Sequence, residues 1–185
     1  MYRPLFTGLA GLTLVTSAAL TPATAHAADF PGTLIRSNLS AVSKCIGPRN
    51  NETANGTPVV VMDCNQFWHG DGRDRSVRSF AGKCFSMAAG HPVPTPNGTP
   101  LVLRDCLSPV AGDQQWTFVA VTSGAPDGLF VLRNPGSLTC ANVLNGSTAT
   151  NTPVVMQNCS FRSDQQWFMP VKPRNFGFDE DDNEF

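Results

Sequence analysis

The residues most able to do chemistry are six cysteines, which occur as three pairs along the chain. Such a set can form disulfides, hold a zinc ion or supply a reactive thiol. No two of the cysteines have the CxxC spacing that is typical of zinc sites and redox motifs. The spacing therefore favours disulfides, and we predict no metal and no cofactor. The six residues are Cys45, Cys64, Cys84, Cys106, Cys140 and Cys159.

The remaining reactive side chains offer few candidates for catalysis. Glu52 is the only glutamate before residue 180, and the chain has no HExxH, GxSxG or Walker sequence. Asp63 and Asp105 each precede a cysteine, at a position that Asn158 fills before a third cysteine. A position that accepts either an acid or an amide is more typical of a structural role than of an ionised catalyst. We therefore expect that the chain is not an enzyme.

The cysteines belong to a sequence unit that occurs three times. Each copy has a turn of the Asn-Gly-Thr-Pro type, a short apolar run, an Asp-Cys or Asn-Cys pair and then a Gln-x-Trp. Proline can open a strand, an apolar run suits a buried strand, and three units can bury the large side chains that one unit could not. The sequence therefore predicts an all-β fold of three internal repeats, with the tryptophans in the core. The turn-and-strand segments are residues 55–64, 97–106 and 150–159, and the tryptophans are Trp68, Trp116 and Trp167.

Three such units in register resemble the ricin-B-type lectin β-trefoil. The resemblance covers residues 32–171 and implies an all-β β-trefoil of three repeats, each with a QxW motif. We call residues 32–77, 78–126 and 127–171 repeats 1, 2 and 3. The placement of the cysteines around each turn-and-strand segment favours one disulfide within each repeat. The expected pairs are Cys45–Cys64, Cys84–Cys106 and Cys140–Cys159.

The resemblance also implies a shallow sugar site in each repeat. In the family, an acid lies two residues after the first cysteine, an aromatic ring lies two residues before the second, and the polar pair that begins the QxW completes the site. No repeat of this chain has both the acid and the aromatic ring. The acid position holds Gly47, Ser86 and Asn142, and the aromatic position holds Met62, Arg104 and Gln157.

The third repeat comes nearest to the family pattern. Asn142 keeps a side-chain carbonyl oxygen and two N–H donors, whereas Gly47 has no side chain and Ser86 only a short hydroxyl. The glutamines of the QxW motifs are at least as suited to satisfying backbone groups inside the fold. We predict carbohydrate binding by Asn142, Gln157, Asp164 and Gln165.

The two ends of the chain differ from the repeats. Residues 1–27 carry one charge, a small apolar run and an Ala-His-Ala cleavage pattern, which predicts a secretory signal peptide. A membrane anchor is the alternative, but the run is shorter than the ~18 residues that span a bilayer. Residues 28–171 would then be the exported domain. Residues 172–185 are acidic with three phenylalanines, which predicts either a disordered tail or a docking peptide.

The net charge of the chain argues against some classes of binding partner. The net charge is −1, so the chain has no overall basic field of the kind that binds nucleic acid or anionic membranes. The segment 71–78 contains three arginines and is interpreted as a solvated turn or as a small cationic contact for an acidic partner. The segment 90–96 contains three prolines and is expected to form a stiff loop that exposes His91.

These observations favour a secreted, non-catalytic, lectin-like module whose partners are glycans. The departures from the family pattern indicate a weak or divergent sugar site. The alternative is a trefoil that binds another protein, similar to the lectin-like subunits of cytolethal distending toxins, with the proline loop, the arginine turn or the acidic tail as the contact.

Overall fold

A computed structural model describes residues 30–39, 44–90, 94–121 and 128–170. The predicted signal peptide and tail, and His91 of the proline loop, lie outside these ranges. The described residues form 13 short strands and four 3-10 turns, with no α-helix among them. The strands are β1 (Phe30–Thr33), β2 (Arg36–Ser37), β3 (Lys44–Pro48), β4 (Val59–Asp63), β5 (Trp68–Asp71), β6 (Ser76–Ser79), β7 (Cys84–Met87), β8 (Thr99–Arg104), β9 (Thr117–Ala120), β10 (Leu129–Arg133), β11 (Thr139–Val143), β12 (Val154–Asn158) and β13 (Gln166–Phe168).

The strands join into one antiparallel sheet, to which each of the three repeats contributes a corresponding hairpin. The hairpins β3–β4, β7–β8 and β11–β12 occupy the same place in successive repeats. In each hairpin, the first cysteine lies opposite the residue two positions before the second cysteine. The all-β, threefold-repeated architecture predicted from the sequence is confirmed. The opposed pairs are Cys45 and Met62, Cys84 and Arg104, and Cys140 and Gln157.

One disulfide closes each of these hairpins. The Cα atoms of the paired cysteines are 4.9, 5.0 and 5.0 Å apart, which is within the normal range for a disulfide. No cysteine is free. The predicted pairing within repeats is therefore confirmed. The bonds join Cys45 to Cys64, Cys84 to Cys106 and Cys140 to Cys159.

The turn that opens each repeated segment docks on the next repeat. One backbone amide in each turn donates a hydrogen bond to a strand of the neighbouring repeat, from repeat 1 to 2, from 2 to 3 and from 3 to 1. The three donor residues have φ angles of +87°, +88° and +69°, a region that glycine enters freely and asparagine tolerates. The three contacts therefore close a ring around a pseudo-threefold axis. They run from Gly56 to Leu103, from Gly98 to Met156 and from Asn151 to Val61, each with an N···O distance of 2.8 Å.

The three tryptophans lie in the hydrophobic core, with 1%, 0% and 0% of their surface exposed. Each indole Nε1–H donates to the carbonyl oxygen of the residue that follows the first cysteine of its repeat. A buried indole needs such an acceptor, since an unpaired N–H would be costly in the core. The same buried hydrogen bond thus recurs in all three repeats. It joins Trp68 to Ile46 (2.9 Å), Trp116 to Phe85 (2.9 Å) and Trp167 to Ala141 (3.3 Å).

Charged side chains reinforce two of the three contacts between repeats. Asp105 accepts hydrogen bonds from Lys83 in its own hairpin and from Asn55 Nδ2 of repeat 1, the latter at 2.6 Å. Lys44 donates to Asp63 at 2.7 Å and to Thr150 of repeat 3 at 3.2 Å. The hydrogen bond from Lys83, followed by that from Asn55, lowers the pKa of Asp105 below its ordinary value.

The third contact between repeats carries no ion pair among the described residues. The backbone amide of Asn158 donates to Asn97 Oδ1 at 3.0 Å, and no lysine takes part. Asp63 and Asp105 therefore each have structural partners among the described residues.

Removing an indole should destabilise the protein strongly. Trp116→Ala and Trp167→Ala should each lower the free energy of unfolding by about 3–5 kcal/mol, because each leaves a large cavity. Trp116→Phe should cost about 1–3 kcal/mol, because it leaves the Phe85 carbonyl without its donor. Denaturant melts measure both losses, and Phe67→Ala, at a half-exposed ring, is the matched control. Unchanged stability with loss of sugar binding would instead make the tryptophans a ligand platform.

Acid should weaken the contact made by Asp105. Because its folded pKa lies below the ordinary 3.8, the stabilisation is present above that value and is lost as the pH falls through the lower folded pKa. Urea melts from about pH 6 to about pH 2 should therefore show a shallower acid loss in Asp105→Asn than in the wild type. The carboxylate is exposed, so salt should reduce the difference. Identical acid slopes in the two proteins would contradict this account.

Candidate functional site

Loops between the second cysteine and the tryptophan cover the outer faces of two hairpins. In repeats 2 and 3 the loop ends in a 3-10 turn that includes the first glutamine of the QxW, whereas in repeat 1 the loop is shorter and β5 begins directly at the tryptophan. Two further 3-10 turns follow β3 and β11. The outer face of each hairpin, together with these turns, is the region where the predicted sugar positions lie. The four turns are Arg49–Asn51, Gly112–Gln114, Leu144–Gly146 and Ser163–Gln165.

The first glutamine of the QxW fastens this loop in repeats 2 and 3. Gln165 Oε1 accepts hydrogen bonds from the amides of Ser160 (2.7 Å) and Phe161 (3.2 Å). Its Nε2 donates to the Asn158 carbonyl at 2.8 Å, and only 1% of the residue is exposed. The Gln165 amide is thus committed to the backbone of its own loop, the role that the sequence offers as the alternative to sugar binding. Gln114 makes the equivalent bonds in repeat 2.

In repeat 1 the sugar position is filled by the protein itself. A Cβ atom added at Gly47 would come within 2.3 Å of Met62 Sδ and 2.9 Å of Gln66 Cγ. Gln66 does not fasten a loop here, and its Nε2 instead donates to Asn51 Oδ1 at 2.8 Å. The glycine therefore occupies the acid position because two neighbouring side chains take the space that a larger residue would need.

In repeat 2 the sugar position is occupied by an arginine and its partner. Arg104, at the aromatic position, extends its guanidinium to within 3.9 Å of the Asp113 carboxylate. Ser86 lies buried below and accepts a hydrogen bond from Gln114 Nε2 at 2.9 Å. The polar groups of this repeat are thus already paired with one another. This ion pair was not predicted from the sequence. The occurrence of an arginine and an aspartate, Arg104 and Asp113, at two site positions of one repeat could have indicated it.

In repeat 3 one acceptor stays without a partner. Asp164 Oδ1 is buried and has no hydrogen-bond partner among the described residues. Its equivalent in repeat 2 is Asp113, which has Arg104, but here the aromatic position holds the uncharged Gln157. Asp164 packs against Gly146 of the neighbouring 3-10 turn, with its Cβ 3.8 Å from where a Gly146 Cβ would lie. When the equivalent positions of the three repeats are compared, the carboxylate oxygen without a partner is therefore found in repeat 3.

The structure places the other two predicted residues on one face of the β11–β12 hairpin. Asn142 lies opposite Val155 and Gln157 opposite Cys140, so the two side chains project to the same side at diagonal positions. Asn142 is only 3% exposed, and its Nδ2 donates to the Val143 carbonyl at 2.7 Å. Carbohydrate binding by Asn142 stays a prediction, for a side chain that the fold buries almost completely. Gln157 and Asp164 are only partly buried and form the accessible part of the predicted set.

The arginine turn at residues 71–78 is partly neutralised. Arg78 contacts Asp74 at 2.5 Å and Asp71 at 3.7 Å, and it also donates to Ser76 Oγ. Arg73 and Arg75 are exposed. Both of the interpretations offered for this segment therefore keep some support, but only two of its three arginines are available as cations.

The described ranges contain neither a cluster of metal ligands nor a membrane-spanning helix. These ranges contain no group of three or more His, Cys, Asp or Glu side chains that could hold a metal ion. Their helical segments include none long and apolar enough to cross a membrane.

Comparison with known proteins gives a match to one family. The sequence model of the ricin-type beta-trefoil lectin domain matches residues 32–168. Comparison with curated protein sequences gives no match.

Solved structures of similar fold agree with this match. The designed threefold symmetric protein ThreeFoil is 22% identical with a TM-score of 0.61, covering 75% of this chain and 96% of its own. The hemolytic lectin CEL-III is 18% identical with a TM-score of 0.62 over 79% of this chain, which spans only 34% of CEL-III. The C-half of the earthworm R-type lectin, in complex with GalNAc, is 12% identical with a TM-score of 0.54, covering 75% and 96% of the two chains. At these identities the likeness concerns the fold.

The buried glutamine in repeat 3 should matter for stability. Gln165→Ala should lower the free energy of unfolding by about 1–3 kcal/mol, because the amides of Ser160 and Phe161 lose their acceptor. Gln157→Ala is the matched control, since Gln157 is partly exposed and should change stability by less than about 0.5 kcal/mol. Chemical denaturation of the two variants measures the difference. Equal losses would show that Gln165 does not fasten the loop.

Proposed function

Since the chain belongs to the family of ricin-type β-trefoil lectin domains, we propose that it is a secreted, non-catalytic carbohydrate-binding module with a weak sugar site in its third repeat. Repeats 1 and 2 are poor candidates for a sugar, because Met62 and Gln66 fill one position and Arg104 pairs with Asp113 in the other. The third repeat has neither obstruction.

The observation that carries this proposal is the unpartnered Asp164 Oδ1. A buried carboxylate oxygen without a donor is unfavourable, because it has lost water and gained no hydrogen bond. A sugar hydroxyl bound beside Gln157 would supply that donor, and the Gln157 amide could both donate to and accept from a second hydroxyl. Asn142, below them, would position the hairpin face and not touch the sugar.

The composition of the site sets the expected affinity. The aromatic ring that would stack on the apolar face of a sugar is replaced by Gln157. A few hydrogen bonds worth about 1 kcal/mol each correspond to a dissociation constant of about 1 mM or weaker. Useful binding would then need several copies of the protein on one surface.

Export from the cell would place the domain where its disulfides are stable. Three disulfides persist in an oxidising compartment, and residues 1–27 have the composition of a secretory signal peptide. We therefore propose an extracellular location.

A protein partner is the second candidate. Phe80, at the turn between β6 and β7, is 83% exposed, and Leu107 of the same repeat is 55% exposed. Large apolar side chains held in solvent at a turn are typical of contact surfaces between proteins.

Titration of simple sugars tests the first candidate, beginning with GalNAc, the sugar in the earthworm lectin complex. Binding followed by NMR should have a dissociation constant of about 1 mM or weaker, and Asp164→Ala should weaken it about tenfold, equivalent to about 1.4 kcal/mol. Asp113→Ala, at the equivalent position in repeat 2, is the matched control and should leave the affinity unchanged. Equal losses in both variants would place the site elsewhere. Absence of binding to any sugar tested would favour the protein-binding candidate.

A further inference from the structure

Two arginines of repeat 1 have buried donors that nothing in the described structure satisfies. The Nε atoms of Arg36 and Arg49 are buried and lack hydrogen-bond partners. None of the ion pairs among the described residues includes either arginine. Asp63 forms its ion pair with Lys44. Glu52 lies three residues after Arg49, but it is exposed and forms no ion pair with that arginine. The two guanidinium groups are therefore cations without counter-charges in the described parts of the chain.

The strand register places both arginines on one face of the repeat. Arg36 lies opposite Cys45 in the β2–β3 pair, so these two side chains project to the same side. Ile46 points into the core, which leaves Cys45 and Gly47 on the outer face. Pro48 is extended, with φ −69° and ψ 139°, so the alternation continues and Arg49 follows Gly47 on that face.

The surface between the two arginines is filled. Met62 and Gln66 lie over Gly47, as the close approach to a Gly47 Cβ position shows. Arg36 and Arg49 therefore lie on either side of a covered surface. Arg36 is level with Cys45, so the two arginines are separated by about 13 Å along the direction of β3, at about 3.3 Å per residue from residue 45 to residue 49. An extended or branched anion, or one anionic group held from two sides, fits such an arrangement better than a sugar ring in a cleft.

We propose that Arg36 and Arg49 form an anion-binding subsite on the outer face of repeat 1, which takes a carboxylate or sulfate group. The planar guanidinium offers paired N–H donors that match the oxygens of these groups. Both arginines are partly exposed, so an anion at their accessible N–H groups would supply the counter-charge that the described residues do not provide. The subsite is independent of the sugar position in repeat 3, because it uses a different repeat and different chemistry.

Two sources present the same chemistry to this subsite. One is an acidic saccharide that carries a carboxylate or sulfate. The other is the C-terminal segment of the chain, since residues 171–185 contain five Asp and Glu against two Lys and Arg. The last strand, β13, pairs with β2 so that Phe168 lies opposite Arg36, and the described chain ends two residues later.

The experiment follows the Nε–Hε resonances of the arginines by NMR in the full chain and in a chain that ends at Arg174. Inorganic sulfate, added at constant ionic strength with chloride as the replaced anion, is the probe. Sulfate should shift the Arg36 and Arg49 signals in a saturable manner, while the exposed Arg73 and Arg75 serve as internal controls. Arg36→Gln and Arg49→Gln should each weaken the binding about tenfold, and Arg73→Gln should leave it unchanged.

Comparison of the two chain lengths identifies the source of the anion. If the C-terminal segment occupies the subsite, truncation alone should shift the Arg36 and Arg49 signals, and sulfate should bind the shorter chain several-fold more tightly. If the ligand is external, the two chains should bind sulfate equally. The proposal is overturned if sulfate shifts Arg36 and Arg49 no more than Arg73 and Arg75 in both chains. This readout does not involve repeat 3, so its failure is distinct from a failure of the sugar site.

Discussion

The hydrogen bond from each buried indole to the carbonyl after the first cysteine is the interaction on which the rest of the repeat depends. An indole can enter the core only where its N–H finds an acceptor, so this bond fixes where the QxW lies against the hairpin. The disulfide starts at the residue before that carbonyl and holds the far strand of the same hairpin. One short segment thus anchors the tryptophan, the hairpin and the loop that joins them. The outer face of the hairpin is covered as a consequence of this arrangement.

The repeats then depend on one another through the turns. Each turn amide that crosses to the next repeat requires a left-handed backbone conformation, which explains why glycine occupies this position twice and asparagine once. The three turn contacts close a ring of repeats, but the side chains that support them differ from one contact to the next. Lys83 and Asp105 support the contact from repeat 1 to 2, and Lys44 supports that from 3 to 1, whereas the uncharged side chain of Asn97 supports that from 2 to 3. We expect the contact between repeats 2 and 3 to depend least on salt and pH.

The sequence predicted the fold well because the features that determine it are local and occur three times. The cysteine spacing, the turn residues and the tryptophan together define one repeat, and three such repeats in register predict the fold. The surroundings of the predicted site residues could not be derived from the sequence, because they depend on how loops pack over the hairpins. Nothing local shows that Met62 and Gln66 fill the space above Gly47, or that Gln165 faces the backbone of its own loop. Asn142 has suitable functional groups, but nothing local shows that only 3% of the residue is exposed.

The pleat of the hairpins explains how one frame can carry three different outer surfaces. Residues 46, 85 and 141 point inward and form the core, whereas their neighbours 47, 86 and 142 point outward. A change at an outward position therefore leaves the indole bond and the core untouched. Repeat 1 uses this freedom to bury a glycine beneath two side chains, repeat 2 to form an ion pair, and repeat 3 to leave a carboxylate oxygen unpaired. Stability and binding are thus separated by a single residue along each strand, so the surface can diverge while the fold persists.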